Sequence, residues 1–160
     1  MMLKKSAFYL FALLFIFAGQ FLMNRNLVTG KPPPIEQNTL DDRSVMALFA
    51  QGPALLYFWA EWCGVCRAMQ DNISAVARDY PSATVAVRSG NREQIATYLR
   101  KNQLQWSVVN DHDGAIGQRY GVRAVPALFF INPQGDIVFT SMGYTSEWGL
   151  RIRLWLASLL

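Results

Sequence analysis

Seven consecutive apolar residues, Ala54-Leu55-Leu56-Tyr57-Phe58-Trp59-Ala60, follow a Gly52-Pro53 turn signal and predict a strand buried on both faces. After a break at Glu61-Trp62 the period changes. Cys66, Met69, Ile73, Val76, Ala77 and Tyr80 recur at spacings of three and four, which predicts a single helix opening at Cys63 and ending near Tyr80-Pro81. Residues 84–87 are β-rich. Asn91-Arg92-Glu93-Gln94 has the form of a capping box, and Ile95, Tyr98 and Leu99 continue a helical stripe to about Lys101. A short strand is expected over 106–109 and a short helix over 114–120. Residues 127–131 and 137–141 flank Asn132-Pro133-Gln134-Gly135, whose proline and glycine sit where a type I turn prefers them, so they predict an antiparallel hairpin. A last helix starts at Thr145 or Ser146. Its expected core face is Trp148, Ile152, Trp155, Leu156 and Leu159, with Arg151 and Arg153 off it. Residues 45–50 fit a short strand or a helical turn equally.

The alternation of strands and helices predicts an α/β fold: a partly parallel, mixed central sheet with helices on both faces. An appendage precedes it. Residues 7–23 carry no charge, Lys4 and Lys5 stand before them and Arg25 after. A spanning helix needs about 17–25 residues, and signal-peptide cores run only about 7–15 and end in small residues, unlike Ala18-Gly19-Gln20. The run therefore reads as a retained transmembrane helix, with the two lysines holding the N-terminus inside and the domain outside the cytoplasm. The expected organisation is an anchor over 1–26, a stiff Pro-rich spacer over 27–37 built on Pro32-Pro33-Pro34, and one domain over 38–160.

Charge supports this division. Lys4, Lys5, Arg25 and Lys31 precede Pro32 with no acidic residue among them, so the formal +4 belongs to the anchor and its flank. The remaining 11 basic residues balance 11 acidic ones, and a neutral domain gives no case for nucleic-acid binding.

Both cysteines of the chain lie in Cys63-Gly64-Val65-Cys66. The first amides of a helix lack intrahelical partners and favour an anion, so a thiolate at Cys63 should form below the usual thiol range. Cys63 is accordingly expected to be the exposed nucleophile, and Cys66, starting the apolar stripe, the buried thiol that resolves a mixed disulfide. A zinc site lacks ligands, since the one histidine is His112; Asp111-His112-Asp113 reads as a solvated turn. No metal or cofactor is expected. Two soft thiolates also suit Cu(I), which keeps a copper-handling module as the alternative, although Met69 is better explained as core.

Phe58-Trp59-Ala60-Glu61-Trp62-Cys63-Gly64-Val65-Cys66 resembles the active-site stretch of the thioredoxin superfamily. The resemblance covers roughly 38–160 and implies a thioredoxin-like fold. With the extra helix and strand at 91–109 and the anchor, the chain is similar to membrane-tethered cytochrome-c-maturation thioredoxins. It is closer still to the anchored thioredoxin-like proteins of bacterial copper-sensitivity-suppressor systems. The resemblance implies a disulfide oxidoreductase of the bacterial inner membrane, its domain in the periplasm. Its partners would be protein thiols and disulfides and a membrane-embedded thiol donor. It also implies a cis bond at Val125-Pro126 beside the cysteines, leaving Val125 free to pair with an extended substrate, while Trp62 offers an apolar docking surface. Two positions depart from relatives: Tyr57 and Met69 stand where a buried Asp or Glu is found. Gly64-Val65 adds no charge or donor to the thiolate, which favours a reductant or isomerase-like protein over a strong oxidant.

Overall fold

In the computed structural model, which describes Gly19 and residues 25–160, all six side chains of β1 (Ala54–Trp59) are buried. Alternation sends Ala54, Leu56 and Phe58 into one core and Leu55, Tyr57 and Trp59 into another, so β1 divides two hydrophobic layers. Each fully buried large apolar side chain contributes about 1.5–3 kcal/mol, which explains why this strand is the centre of the sheet.

β1 pairs in parallel with β2 (Ser82–Val87), which pairs in parallel with β3 (Val108–Asp111). On its other side it pairs antiparallel with β4 (Ala127–Ile131), which turns into β5 (Ile137–Met142). The order is β3-β2-β1-β4-β5, a mixed sheet. Six helices are described: α1 (Val45–Phe49), α2 (Gly64–Ala68), α3 (Gln70–Asp79), α4 (Arg92–Lys101), α5 (Ala115–Arg119) and α6 (Glu147–Ala157). Helices α2, α3, α4 and α6 bring Cys66, Ile73, Ile95, Leu150 and Leu154 to one face; α1 and α5 bring Val45, Leu48, Phe49 and Ile116 to the other. The capping box at Asn91 and Gln94 is present in full, and Asn132 Oδ1 accepts the Gln134 and Asp136 amides to hold the hairpin turn.

Three expectations need revision, and one open choice is settled. The helix after Cys63 is two helices, broken at Met69, whose amide bonds back only three residues to the Cys66 carbonyl. The third strand begins at Val108; Trp106 instead packs edge-on to Tyr57 and Trp59 and donates its indole N–H to Ser74 Oγ at 3.0 Å. The ambiguous 45–50 stretch is helix α1, capped by Ser44.

The largest revision concerns α6. Its buried positions are Leu150, Leu154 and Ala157, while Trp148, Ile152, Trp155 and Leu159 are 77, 53, 57 and 64% exposed. Both stripes have helical spacing, so periodicity does not choose between them. Arg151 reaches across to the Asp79 carboxylate (2.8 Å) and the Ala75 carbonyl (3.5 Å) on α3, and Arg153 lies over the Phe130 ring. Those contacts accompany the rotation that seats Leu150 and Leu154 in the core and turns both tryptophans outward.

The 27–37 segment is packed along the domain. Leu27 and Ile35 are buried in the α1–α5 layer, Gly30 exchanges both backbone hydrogen bonds with Ile137 on β5, and the Tyr120 hydroxyl donates to the Pro33 carbonyl at 2.7 Å. Prolines lack a donor but keep a carbonyl, and the apolar residues flanking them supply the burial. Residues 7–23, read as an anchor, lie outside the described residues apart from Gly19. Among the described residues no helix is long and apolar enough to cross a membrane.

Ile35→Ala is expected to destabilise the fold by about 2–5 kcal/mol in chemical denaturation, as a core truncation does. Leu154→Ala should cost a similar ~2–5 kcal/mol, whereas Ile152→Ala on the same helix should stay within about 0.5 kcal/mol of the parent. Equal losses at 152 and 154 would contradict the observed rotation of α6.

Candidate active site

The buried strand β1 ends at Trp59 and delivers the chain to Cys63, whose amide donates to the Ala60 carbonyl at 3.2 Å. Cys63 is extended (φ −84°, ψ 111°) and caps α2: its Sγ accepts the Cys66 N–H at 3.1 Å. The sulfur occupies the place that a serine or aspartate oxygen takes at most helix starts. The favourable field at Cys63 is therefore local. α2 has five residues and ends at Met69, so the first-turn amides, rather than a long aligned dipole, face the sulfur.

Cys63 and Cys66 are joined as a disulfide with their Cα atoms 5.2 Å apart, within the usual range. Cys63, expected to be exposed, is buried at 7% exposure, and Cys66 is more buried still at 2%. The Val125 carbonyl lies 3.6 Å from Cys63 Sγ, and the Val125–Pro126 bond is cis. The Pro126 carbonyl accepts the Gly143 amide at 2.9 Å, which ties the start of β4 to the loop after β5. Trp62 is 63% exposed and donates its indole N–H to the Arg88 carbonyl at 3.2 Å. All five residues singled out in the sequence, Trp62, Cys63, Cys66, Val125 and Pro126, thus meet at the carboxyl end of β1.

Beneath the disulfide the core carries no carboxylate. Met69 is fully buried, and Tyr57 is buried with its hydroxyl unpartnered. Burial, with a smaller contribution from nearby Tyr98, pushes the Tyr57 phenol far above its ordinary value, so it stays neutral. The one buried acid among the described residues is Asp111. Its two oxygens accept the Ile116 and Gly117 amides at 3.0 and 2.8 Å, so it is a structural cap of α5 and not part of a solvated turn. Asp113 Oδ1 accepts the Ala115 amide, and His112 Nδ1 contacts the Gly90 carbonyl.

The AhpC/TSA family model matches residues 28–140. The chain belongs to the AhpC/TSA family. Within this family it is thioredoxin-like. It is 36% identical over 132 residues to a thioredoxin-like protein of Haemophilus influenzae, covering 79% of this chain and 78% of that one. It is 29% identical over 122 residues to the thiol:disulfide interchange protein DsbE of Tatumella citrea, covering 72% and 66%. A secreted Mycobacterium tuberculosis disulfide oxidoreductase homologous to E. coli DsbE superposes with a TM-score of 0.63 at 26% identity, over 83% of this chain and 98% of that one. The relatives of this AhpC/TSA chain are thus thiol–disulfide oxidoreductases.

Two arginines of the site have no clear signal in the sequence. Arg67 follows the motif directly, and its guanidinium donates to the Glu61 carbonyl at 3.3 Å, wrapping the turn before Cys63. Arg88 is 25 residues from Cys63 in the chain and arrives only through β1–β2 pairing.

The Cys66 amide favours a thiolate on Cys63, while the Val125 carbonyl, an acceptor, favours the thiol. A modest lowering is the expected balance. In the reduced protein, alkylation of Cys63 should rise with pH through a value below the ~8.5 of a free thiol, with Cys66 reacting only above it. A Cys63 value at or above that of a free thiol would remove the role given to the Cys66 amide.

Proposed function

We propose that this chain is a membrane-tethered thiol–disulfide oxidoreductase that exchanges disulfides with protein clients and runs as a reductant or isomerase-like enzyme. The single observation that carries the reading is the placement of Cys63 Sγ at a helix cap, beside a more deeply buried Cys66 and the half-buried Val125, whose carbonyl faces the sulfur.

The Cys63 thiolate attacks one sulfur of a client disulfide. An S–S bond forms between Cys63 and the client, the client's own S–S bond breaks, and the second client sulfur leaves as a thiolate that takes a proton from solvent. Cys66, losing its proton, then attacks Cys63. The Cys63–Cys66 disulfide forms and the first client sulfur leaves, so the client gains two electrons and the protein loses two. Trp62 presents an apolar face to the client, and Val125 offers its backbone to an extended segment against Pro126. Tyr57 and Met69 provide no proton acceptor for Cys66, so water at the disulfide mouth carries that proton.

The reducing direction is supported by the weak stabilisation of the Cys63 anion. One amide donates to it, one carbonyl opposes it, and Gly64-Val65 contributes no charge. A strong oxidant needs a far more stabilised thiolate. The uncharged run 7–23, with Lys4 and Lys5 before it, supports tethering to a bacterial inner membrane with the domain in the periplasm. There a reductant needs a membrane-embedded thiol donor, and confinement by the anchor raises their effective concentration. The copper-handling alternative gains no support, because Met69 is sealed in the core.

Cys66→Ala is expected to accumulate client proteins as mixed disulfides on Cys63, seen on non-reducing gels and absent from Cys63→Ala. Equilibrated with glutathione, the wild-type pair should lie nearer the ~−270 mV of thioredoxin than the ~−120 mV of strong oxidants. No trapped species and no reduction of a protein disulfide would defeat the reading.

A further inference from the structure

A groove of about 300 Å³ is lined by Trp62 and Val125, the neighbours of Cys63, and by Gln118, Val122, Arg88 and Arg123 among others. Trp62 adjoins Cys63 in the chain and the Val125 carbonyl faces its sulfur, so whatever fills the groove sits beside the attacked bond. Its lining contains two guanidinium groups and no carboxylate. Neither arginine forms a salt bridge among the described residues.

Arg88 is held in place from several sides. Its amide donates to the Asp111 carbonyl at 2.9 Å, its carbonyl accepts the Trp62 indole, and its Nε donates to the Asp113 carbonyl at 3.1 Å. These bonds hold it at φ 46°, uncommon for a residue with a side chain. Gly114, at φ 83°, leaves the lane that the arginine follows; a Cβ there would come within 2.7 Å of Arg88 Nε. The nearby Asp113 carboxylate is engaged by the Ala115 amide. The groove is therefore apolar at the tryptophan and carries two guanidinium groups in its lining, one of them pre-positioned, with the Asp111 and Asp113 carboxylates nearby but outside that lining.

We propose that this groove selects clients with an acidic side chain next to the cysteine under attack, Arg88 and Arg123 supplying the complementary charge. The inference rests on the thiol-exchange reading above. A guanidinium recognises a carboxylate through paired N–H donors, and opposite charge speeds encounter without changing the chemistry of exchange.

The test uses the full-length protein in its reduced form and a set of single-disulfide peptides that differ only in one residue flanking the cysteine: Glu, Gln or Lys. The expected order of reduction is Glu before Gln before Lys, with steps on the order of threefold that shrink as salt rises. Arg88→Glu with Arg123→Glu should invert the order, and Lys at both positions should keep it. Equal rates for the three peptides, or an order that survives the charge reversal, overturn the selectivity while leaving the exchange reading intact. No exchange with any peptide overturns both.

Discussion

The hydrogen bond from the Cys66 amide to Cys63 Sγ is the contact on which the site depends. It makes the reactive sulfur the cap of its own helix, so the group that must be ionised is also the group that satisfies an otherwise orphaned donor. The position of that cap is set by β1. A strand buried along its whole length has no freedom to slide, because a one-residue slip would exchange its two hydrophobic faces. The residues after Trp59 therefore emerge at a fixed height, and Val125 is brought to the same height by β4, whose Ala127 pairs with Phe58.

The layer under the disulfide is built from aromatic packing, with Tyr57 and Met69 in place of any carboxylate. Tyr57, Trp59 and Trp106 meet edge to face, and Tyr98 tilts against Trp59. Such a floor is inexpensive in desolvation compared with a carboxylate at the same depth. It also removes the group that would take a proton from Cys66. The one buried acid among the described residues, Asp111, holds α5 at the edge of the groove. The chain has thus placed its charges around the disulfide rather than beneath it: Arg67 over the preceding turn, Arg88 and Arg123 along the groove.

The opposite side of the molecule shows the same division between packing and display. Arg151 couples α6 to α3 through Asp79 and to its own helix through Glu147, and Arg153 covers Phe130. Leu150 and Leu154 are seated in the core, and a stripe bearing two tryptophans is left on the surface.

The sequence by itself determined the order of the elements, the buried central strand, the hairpin, the capping box and the place of both cysteines. Each of these is a short-range signal: a period, a turn residue or a cap within a few positions of the residue it governs. Only the tertiary structure decided the break at Met69, the burial of Leu27 and Ile35, the side of α6 that faces inward and the arrival of Arg88 beside Cys63. Leu27 and Ile35 flank three prolines whose local preference is for an extended spacer, yet they find a cavity between α1 and α5 that no local pattern announces. In α6 two stripes satisfy the helical period equally, and the choice falls to which one fits the core beside Leu128 and Phe130, with Arg151 then reaching Asp79, 72 positions earlier in the chain. Contacts of that range depend on which surfaces the sheet brings together, and their free energy is gained only once the whole layer has closed.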